Sequence, residues 1–230
     1  MSVLENAIGW LAPPACAGCG AEGTAFCELC KAAEILPHGE RCGICGVVSQ
    51  DGLTCIRCRR KGAPKHIFIS TDYEGMAQKL LNLYKFRHQR AAAVSIAKIM
   101  ADTLSYYTTP SLKKHDYMLV PVPSASSRVR TRSFDHAKLL ARTIASQTGQ
   151  DYYPALSRLG QARQVGAKRS QRLIQQTDNY YVLQPEKVAG RKLLVIDDVL
   201  TTGGTLRAVY KTLRQAGAGQ VDALVFSKRL

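Results

Sequence analysis

The stretch "KLLVIDDVLTTGGT", residues 192–205, restricts the fold of this chain more than any other feature. Its apolar run Leu193–Ile196 predicts a central parallel strand that is buried on both faces. Asp197 and Asp198 follow at the carboxyl end of that strand, where open α/β sheets bind their ligands. The glycine-containing loop then leads into a predicted helix, whose apolar periodicity is carried by Leu206, Val209, Tyr210 and Leu213.

This strand–loop–helix unit predicts a site for a phosphorylated ligand. The free N–H groups and positive dipole end of a helix N-terminus attract an anion, and glycines let the backbone approach it. Two adjacent carboxylates repel each other, which indicates a ligand or a cation nearby. The chain contains no Walker-type G-x-x-x-x-G-K-[ST], and "TTGGT" does not fit a dinucleotide fingerprint. A simple turn with an aspartate cap and no ligand remains the alternative.

The eight cysteines all precede residue 60 and form four C-x-x-C pairs. Each pair places two thiolates on one tight turn, and two such turns complete a tetrahedral site suited to zinc. Four pairs therefore predict two zinc ions of structural role, with the first two pairs sharing one ion and a cross-braced arrangement left open. His38 and His66 are spare ligands or, more commonly for such residues, surface histidines. The predicted ligands are Cys16, Cys19, Cys27, Cys30, Cys42, Cys45, Cys55 and Cys58.

Disulfides would require export, and the N-terminal "MSVLENAIGWLAPP" lacks the basic start of a signal peptide. The chain also lacks an apolar run of the length that spans a membrane. We therefore expect a cytoplasmic protein without a membrane span.

Charge divides the 230 residues into two unequal parts. Residues 1–62 contain 6 Lys and Arg against 6 Asp and Glu, whereas residues 63–230 contain 26 against 11. The whole net charge of +15 thus lies in the second part, which predicts a surface that faces polyanions such as nucleic acid. A merely solvated basic face is the alternative.

Alternation of strand and helix patterns in residues 63–230 predicts an α/β fold with a parallel sheet flanked by helices. The predicted strands include "HIFIST", Met118–Val122 and "VDALVFS". We expect two domains, a double zinc ribbon at 1–62 and the α/β domain at 63–230.

The apolar strand, the Asp-Asp pair and "VLTTGGT" resemble the phosphoribosyl pyrophosphate signature of type I phosphoribosyltransferases. The resemblance implies that Asp197 and Asp198 hold the ribose hydroxyls. It implies Mg²⁺ as the ion that accompanies phosphoribosyl pyrophosphate. It also implies a loop that cradles the 5′-phosphate, formed by Thr201, Thr202, Gly203, Gly204 and Thr205.

Almost the whole chain resembles the ComF family of competence-associated, phosphoribosyltransferase-like proteins. The N-terminal zinc ribbons match the longer family members, and "LYKFRHQRAAA" is similar to the family's Lys-aromatic-x-Gly segment. "VPVPSASSRVRTRSFDHAKLLA" resembles its Arg-rich V-P-V-P stretch, with Ser133, Asp135 and His136 in place of the usual residues. The later segment "SRLGQARQVGAKRSQRLIQQTDNYYV" resembles the family's R…Q…R…N pattern, through Arg158, Gln164, Arg172 and Asn179.

The Arg-rich loop after Val122 is predicted to bind pyrophosphate. Guanidinium groups suit diphosphate oxygens and equally a nucleic-acid backbone. A second basic cluster, which also contains Arg163 and Lys168, falls where the family has a flap. The leading contacts are Arg128, Arg130, Arg132, Arg169 and Arg172.

Two functions follow from the resemblance. The first is a phosphoribosyl pyrophosphate-binding competence protein that acts with single-stranded DNA during uptake in natural transformation, with the uptake helicase and recombination mediators as partners. The second is an active phosphoribosyltransferase with an unidentified nucleobase or small-molecule acceptor. Candidate aromatic residues for base stacking are Tyr106, Tyr107, Phe134, Tyr152, Tyr153, Tyr180 and Tyr181.

Overall fold

The computed structural model describes residues 13–86, 91–107, 117–124, 134–158 and 180–229. Four parallel strands form one sheet in the order β1–β6–β5–β2, and two short antiparallel strands, β3 and β4, form a second. The strands are β1 Ile67–Asp72, β2 Tyr117–Pro121, β3 Leu156–Arg158, β4 Tyr180–Val182, β5 Lys192–Leu200 and β6 Gln220–Lys228. The helices are α1 Glu28–Glu34, α2 Ile56–Arg60, α3 Gly75–Phe86, α4 Ala91–Tyr107, α5 His136–Thr148 and α6 Gly204–Gln215, and a 3₁₀ turn covers Pro185–Lys187.

Apolar side chains cover both faces of the parallel sheet, which explains why its strands are almost continuously hydrophobic. On one face, Leu194, Ile196 and Phe226 pack against α3, α4 and α5. On the other face, Val195 and Val225 pack against α6 and the small β3–β4 sheet. The predicted α/β class and its parallel sheet are confirmed.

Strand β5 is longer than the sequence predicts. We expected it to end at Ile196, but it continues to Leu200 because β6 stays paired alongside it as far as Lys228. Strand β2 stops earlier, where Pro121 pairs with Ile196. Asp197 and Asp198 therefore lie within β5, beyond the end of its neighbour, and one edge of the strand is left without β2 at that point.

The β3–β4 pair was not predicted, because three residues are too few to display the alternation that identifies a strand. The chain between them, residues 159–179, lies outside the described residues.

The cysteine-rich segment packs on the α/β part at two separate places. Cys16 and Phe26 belong to the same apolar cluster as α3 and α4, and Lys31 pairs with Asp102 across α1 and α4 at 2.9 Å. Gly43, by contrast, lies against the side chains of Ile69 and Leu200, near the carboxyl ends of β1 and β5. The division at residue 62 remains a prediction about folding units. In the described part of the chain, no helix combines the length and the apolar character that a membrane crossing needs.

Candidate functional site

The two adjacent aspartates face different surroundings. The Asp198 carboxylate forms an ion pair with Lys85 of α3, with 2.7 Å between Oδ2 and Nζ, and both side chains are largely buried. In the described parts of the chain, Asp197 Oδ1 accepts a hydrogen bond from the backbone N–H of Asp198 at 2.9 Å and forms no ion pair. One acid is thus neutralised by a lysine, whereas the other pairs with no cation among the residues that the structure describes.

Burial is the main cause that raises the pKa of Asp197 to about 7, and the negative charge of Asp198 adds to it. The charge of Asp135 acts in the same direction, and Lys85 opposes it. A cation or hydroxyl donors beside Asp197 would stabilise its ionised form and lower this raised pKa.

We expect Asp197 to make the free chain less stable as pH rises. The native state keeps a proton up to about pH 7, whereas the unfolded carboxyl releases it near its usual value of 3.8, so unfolding becomes easier between these two pH values. Asp197→Asn should therefore raise the free energy of unfolding on the order of 2 kcal/mol at pH 8 and much less at pH 4. Denaturant unfolding of both proteins at the two pH values checks this. An equal difference at both would contradict it.

The loop after β5 brings the backbone into α6 through a conformation that favours glycine. Gly203 is the N-cap of α6 and has φ 78°, in the left-handed region. No side chain caps this helix, so the N–H groups of its first turn, at Gly204, Thr205 and Leu206, have no capping side chain. Thr201, Thr202 and Thr205 are exposed. The loop can therefore offer backbone N–H groups and hydroxyls to an anion.

Two cations hold the carbonyl groups of this loop. The ammonium of Lys228, a buried residue at the end of β6, donates to Thr201 O. Arg207 Nη1 donates to Thr202 O at 3.3 Å from within α6. Burial lowers the pKa of Lys228, and the nearby Asp72 opposes that shift. These contacts fix the direction of two peptide groups in the loop.

The second cysteine-rich turn packs directly on the loop. A Cβ placed on Gly203 would lie 2.3 Å from Ile44 Cδ1, so the isoleucine side chain occupies the space that only glycine leaves open. Ile44 stands between Cys42 and Cys45 in their C-x-x-C turn. The predicted phosphate loop is therefore in contact with a predicted metal site, a relation that the sequence does not reveal.

Asp135 connects the segment after β2 to α5. Its carboxylate caps α5 by accepting the Lys138 N–H at 3.2 Å, and it also accepts the Ser124 N–H at 3.2 Å. This aspartate thus joins Ser124, which follows β2, to the first turn of α5. The candidates of the Arg-rich loop and those of the flap lie outside the described residues: Arg128, Arg130, Arg132, Ser133, Arg163, Gln164, Lys168, Arg169, Arg172 and Asn179.

The eight cysteines form two separate tetrads. Cys16, Cys19, Cys27 and Cys30 form the first, and Cys42, Cys45, Cys55 and Cys58 form the second, with all sulfurs of a tetrad within 4.8 Å of one another. The structure therefore groups consecutive pairs and shows no cross-braced arrangement among them.

Distances within the tetrads fit a tetrahedral metal. Cys19 and Cys27 sulfurs are 3.8 Å apart, and those of Cys45 and Cys55 are 3.6 Å apart. The edge of a tetrahedron with zinc–sulfur bonds of about 2.3 Å is about 3.8 Å long. Backbone N–H groups of Cys27 and Cys55 donate to Cys16 and Cys42 sulfurs, each at 3.4 Å.

The thiols of each tetrad differ in acidity. Burial alone would raise the pKa of Cys16, but backbone N–H donors outweigh it and lower the pKa to about 6; Cys42 is lowered in the same way to about 7. Hydrogen bonding to Cys27, together with burial, raises the pKa of Cys30 to about 12. Four thiolates this close need a cation to remain ionised together, which is the condition that zinc provides.

His38 and His66, which flank the cysteine pairs in sequence, belong to neither tetrad and are buried, so the expectation of surface histidines is wrong. His38 Nδ1 lies 2.6 Å from Asp72, and His66 Nδ1 lies 3.1 Å from Asp222. Asp222, which is fully buried, also accepts the Tyr117 hydroxyl at 2.7 Å. These contacts join the ends of β1, β2 and β6, so both histidines have a structural role.

Most of the aromatic candidates for base stacking are not free to stack. Tyr180 and Tyr181 are buried, and Tyr107 stacks on Phe68. Phe134 packs against Tyr84 and His136. Tyr106 is 80% exposed, whereas Tyr152 and Tyr153 are partly buried. Among these candidates, therefore, Tyr106 presents the most ring surface to a ligand.

Sequence reasoning missed three residues of this site, namely Lys85, Lys228 and Ile44. Lys85 falls in the "LYKFRHQRAAA" segment, so its place in that motif was a signal that could have identified it. Lys228 and Ile44 offered no such signal, because their roles arise from the pairing of β6 with β5 and from the docking of the second tetrad.

Comparison with known proteins agrees with this architecture. Residues 137–230 match the family described as the phosphoribosyl transferase domain. The competence protein ComFC of Bacillus subtilis is 26% identical over 198 residues, covering 83% of this chain and 78% of that protein. The DNA utilization protein YhgH of Salmonella typhimurium is 25% identical over 208 residues, covering 89% of this chain and 91% of that protein.

A solved structure of the glutamine phosphoribosylpyrophosphate amidotransferase from B. subtilis matches with a TM-score of 0.38 and 20% identity. The match covers 58% of this chain, and the chain spans about a quarter of that protein's length, 26%.

Proposed function

Because the chain belongs to the ComF family, we propose that it is a phosphoribosyl pyrophosphate-binding protein that acts with single-stranded DNA in natural transformation. The observation that carries the first half of this proposal is the position of Asp197, Asp198 and the loop 201–205 on one continuous segment. The acids lie beyond the end of β2, and the loop ends in the uncapped N-terminus of α6.

The chemistry of this segment suits a ribose phosphate. The carboxylates can accept hydrogen bonds from two neighbouring hydroxyls, and Thr201, Thr202, Gly203, Gly204 and Thr205 can donate N–H and hydroxyl groups to a phosphate. Lys85 pairs with Asp198, and within the described ranges Asp197 has no cationic partner. This favours a ligand that brings a cation or hydrogen-bond donors to Asp197.

Mg²⁺ is the cofactor that we propose to arrive with the diphosphate of the ligand. Carboxylate oxygens are ligands that Mg²⁺ prefers. Burial, together with the charge of the adjacent Asp198, raises the pKa of Asp197, and a divalent cation beside this carboxyl would stabilise its ionised form. Zinc is proposed for both cysteine tetrads, in a structural role, because four thiolates leave no position open for water or substrate.

Removal of both acids tests the ligand assignment. We expect Asp197→Ala with Asp198→Ala to weaken phosphoribosyl pyrophosphate binding at least about tenfold, since each lost hydrogen-bonding group costs about 1–3 kcal/mol. Calorimetric titration with and without Mg²⁺ measures the affinity.

Asp151→Ala serves as the control in that titration. It removes an exposed carboxylate that pairs with Arg191 at 2.7 Å, away from the loop, and should leave the affinity unchanged. If the double variant binds the ligand as tightly as the control, these acids do not hold the ribose.

The second half of the proposal is supported by the names of the relatives, a competence protein and a DNA utilization protein, and by the net charge of +15. We propose that Arg128, Arg130, Arg132, Arg169 and Arg172 contact pyrophosphate or nucleic acid. The protein would act inside the cell with the uptake helicase and recombination mediators of the competence machinery.

Catalysis is the alternative function, favoured by the match of residues 137–230 to the phosphoribosyl transferase domain. An active enzyme would transfer phosphoribose to a nitrogenous acceptor with inversion at the anomeric carbon, as cations stabilise the departing pyrophosphate. Pyrophosphate release that depends on an added nucleobase would support this function. Ligand binding without release under any acceptor would favour the binding function.

A further inference from the structure

A groove of about 680 Å³ lies between the segment that follows α2 and helix α6. Lys61 and Gly62, which follow α2, line one side. Side chains of α6 line the other side, with Arg207, Tyr210, Lys211 and Arg214 among them. The groove reaches Gly204, so it begins at the phosphate loop and runs along the helix.

Positive charge dominates this groove. Lys61, Arg207, Lys211 and Arg214 line it, and no carboxylate is among the lining residues. None of the four forms an ion pair with an acid in the described parts of the chain. Residues 1–62 have zero net charge, so their composition does not predict a positive charge at this groove. The acids that offset Lys61 in the net charge do not line the groove.

Helix α6 is built with its cations on one side. Leu206, Val209 and Leu213 are buried against the sheet, whereas Arg207, Lys211 and Arg214 follow one another at spacings of four and three residues. Like charges at these spacings repel and destabilise a helix by a few tenths of a kcal/mol per pair. The stripe therefore lowers the stability of the free protein, and a bound polyanion would relieve that repulsion.

Arg207 connects the groove to the loop. One of its terminal nitrogens holds Thr202 O, and its Nε is buried without a hydrogen-bond partner in the described parts of the chain. A buried guanidinium donor that lacks an acceptor is costly, which points to an anionic ligand that supplies one.

We propose that this groove binds the phosphodiester backbone of single-stranded nucleic acid and leads it towards the phosphate loop. The inference rests on the proposed function that the protein acts with single-stranded DNA, and it names a path for the strand. Successive phosphates match a row of cations along a helix, and Tyr210 offers a half-buried ring beside it. The groove's volume lies in the range of small-ligand sites, which suits a single strand rather than a duplex.

The test compares charge reversals in the full-length, zinc-loaded chain. Lys61→Glu with Lys211→Glu should reduce affinity for a 20-nucleotide oligothymidylate at least about tenfold and flatten the log affinity–log salt slope by about 1.4, or 0.7 per lost phosphate contact. Lys65→Glu changes the charge of an exposed residue that does not line the groove, and it should shift affinity less than about twofold. Retained binding of phosphoribosyl pyrophosphate shows that each variant is folded.

The outcomes separate the groove from the wider proposal. If the unaltered protein does not retain the oligonucleotide, the single-stranded DNA function fails, and this inference fails with it. If the unaltered protein binds and the double variant matches Lys65→Glu in affinity and salt slope, the groove alone is wrong. Displacement of the oligonucleotide by polyglutamate at equal charge would identify an acidic peptide as the occupant and would also overturn the inference.

Discussion

Gly203→Ala is expected to remove most of the binding of phosphoribosyl pyrophosphate and to destabilise the protein. The left-handed conformation at φ 78° costs a residue with a side chain about 1–2 kcal/mol. The added Cβ would also lie 2.3 Å from Ile44 Cδ1, and such overpacking costs about 1–3 kcal/mol more. We therefore expect the free energy of unfolding to fall by about 2–5 kcal/mol, and the affinity to fall at least about tenfold as the loop moves.

Gly204→Ala is the matched control for stability. The nearest atom to a Cβ at Gly204 is Thr202 Oγ1 at 3.7 Å, an ordinary contact, and the residue opens α6. Alanine in a helix is more favourable than glycine, so this variant should be as stable as the original protein or slightly more stable. Denaturant unfolding and calorimetric titration measure both variants.

A second substitution separates the two causes. Ile44→Val removes the one methyl group that the new Cβ would meet and leaves Cγ1, which is 3.7 Å away. Compared with Gly203→Ala alone, Gly203→Ala with Ile44→Val should recover the part of the free energy of unfolding that the clash removes. The part lost to backbone strain at φ 78° should not be recovered. If Gly203→Ala is as stable as Gly204→Ala and keeps the ligand affinity of the unaltered protein, Ile44 does not constrain the loop.

The parallel sheet and the position of the acids could be predicted because both leave a local pattern. A buried strand reads as a continuous apolar run, and Asp197 and Asp198 interrupt that run abruptly. The end of the strand could not be predicted from the same pattern. Whether residues 197–200 stay extended depends on β6, which pairs with them from a distant part of the sequence.

For the cysteine tetrads, residue spacing predicts which residues are the ligands but not where each tetrad packs. C-x-x-C spacing is sufficient to identify the ligands, since the geometry of each turn is local. The docking of each tetrad is a tertiary property: the first packs near α3 and α4, and the second packs on the loop of the predicted phosphate site. Lys85 and Lys228 were missed for the same reason, because each reaches its partner through packing between elements distant in the sequence.

Loss of metal from the second tetrad should weaken ligand binding at the loop, whereas loss from the first should not. Cys45→Ser with Cys55→Ser removes two neighbouring sulfurs from the second tetrad, and Cys19→Ser with Cys27→Ser removes the corresponding pair from the first. The two pairs are matched, since each contains one exposed and one partly buried cysteine. Metal analysis should find two zinc ions in the unaltered chain and one in each variant.

The expected difference arises from Ile44. Zinc binding supplies folding free energy to its own small module, on the order of 10 kcal/mol in zinc-finger peptides, so a tetrad without metal should not keep its turns in place. Without the second tetrad, Ile44 no longer supports Gly203, and affinity for phosphoribosyl pyrophosphate should fall at least about tenfold. The first tetrad contacts α3 and α4 instead, and its loss should change the affinity less than about threefold. Equal losses in both variants would mean that the tetrads stabilise the chain as a whole; an unchanged affinity after loss of the second zinc would show that the loop holds its shape without it.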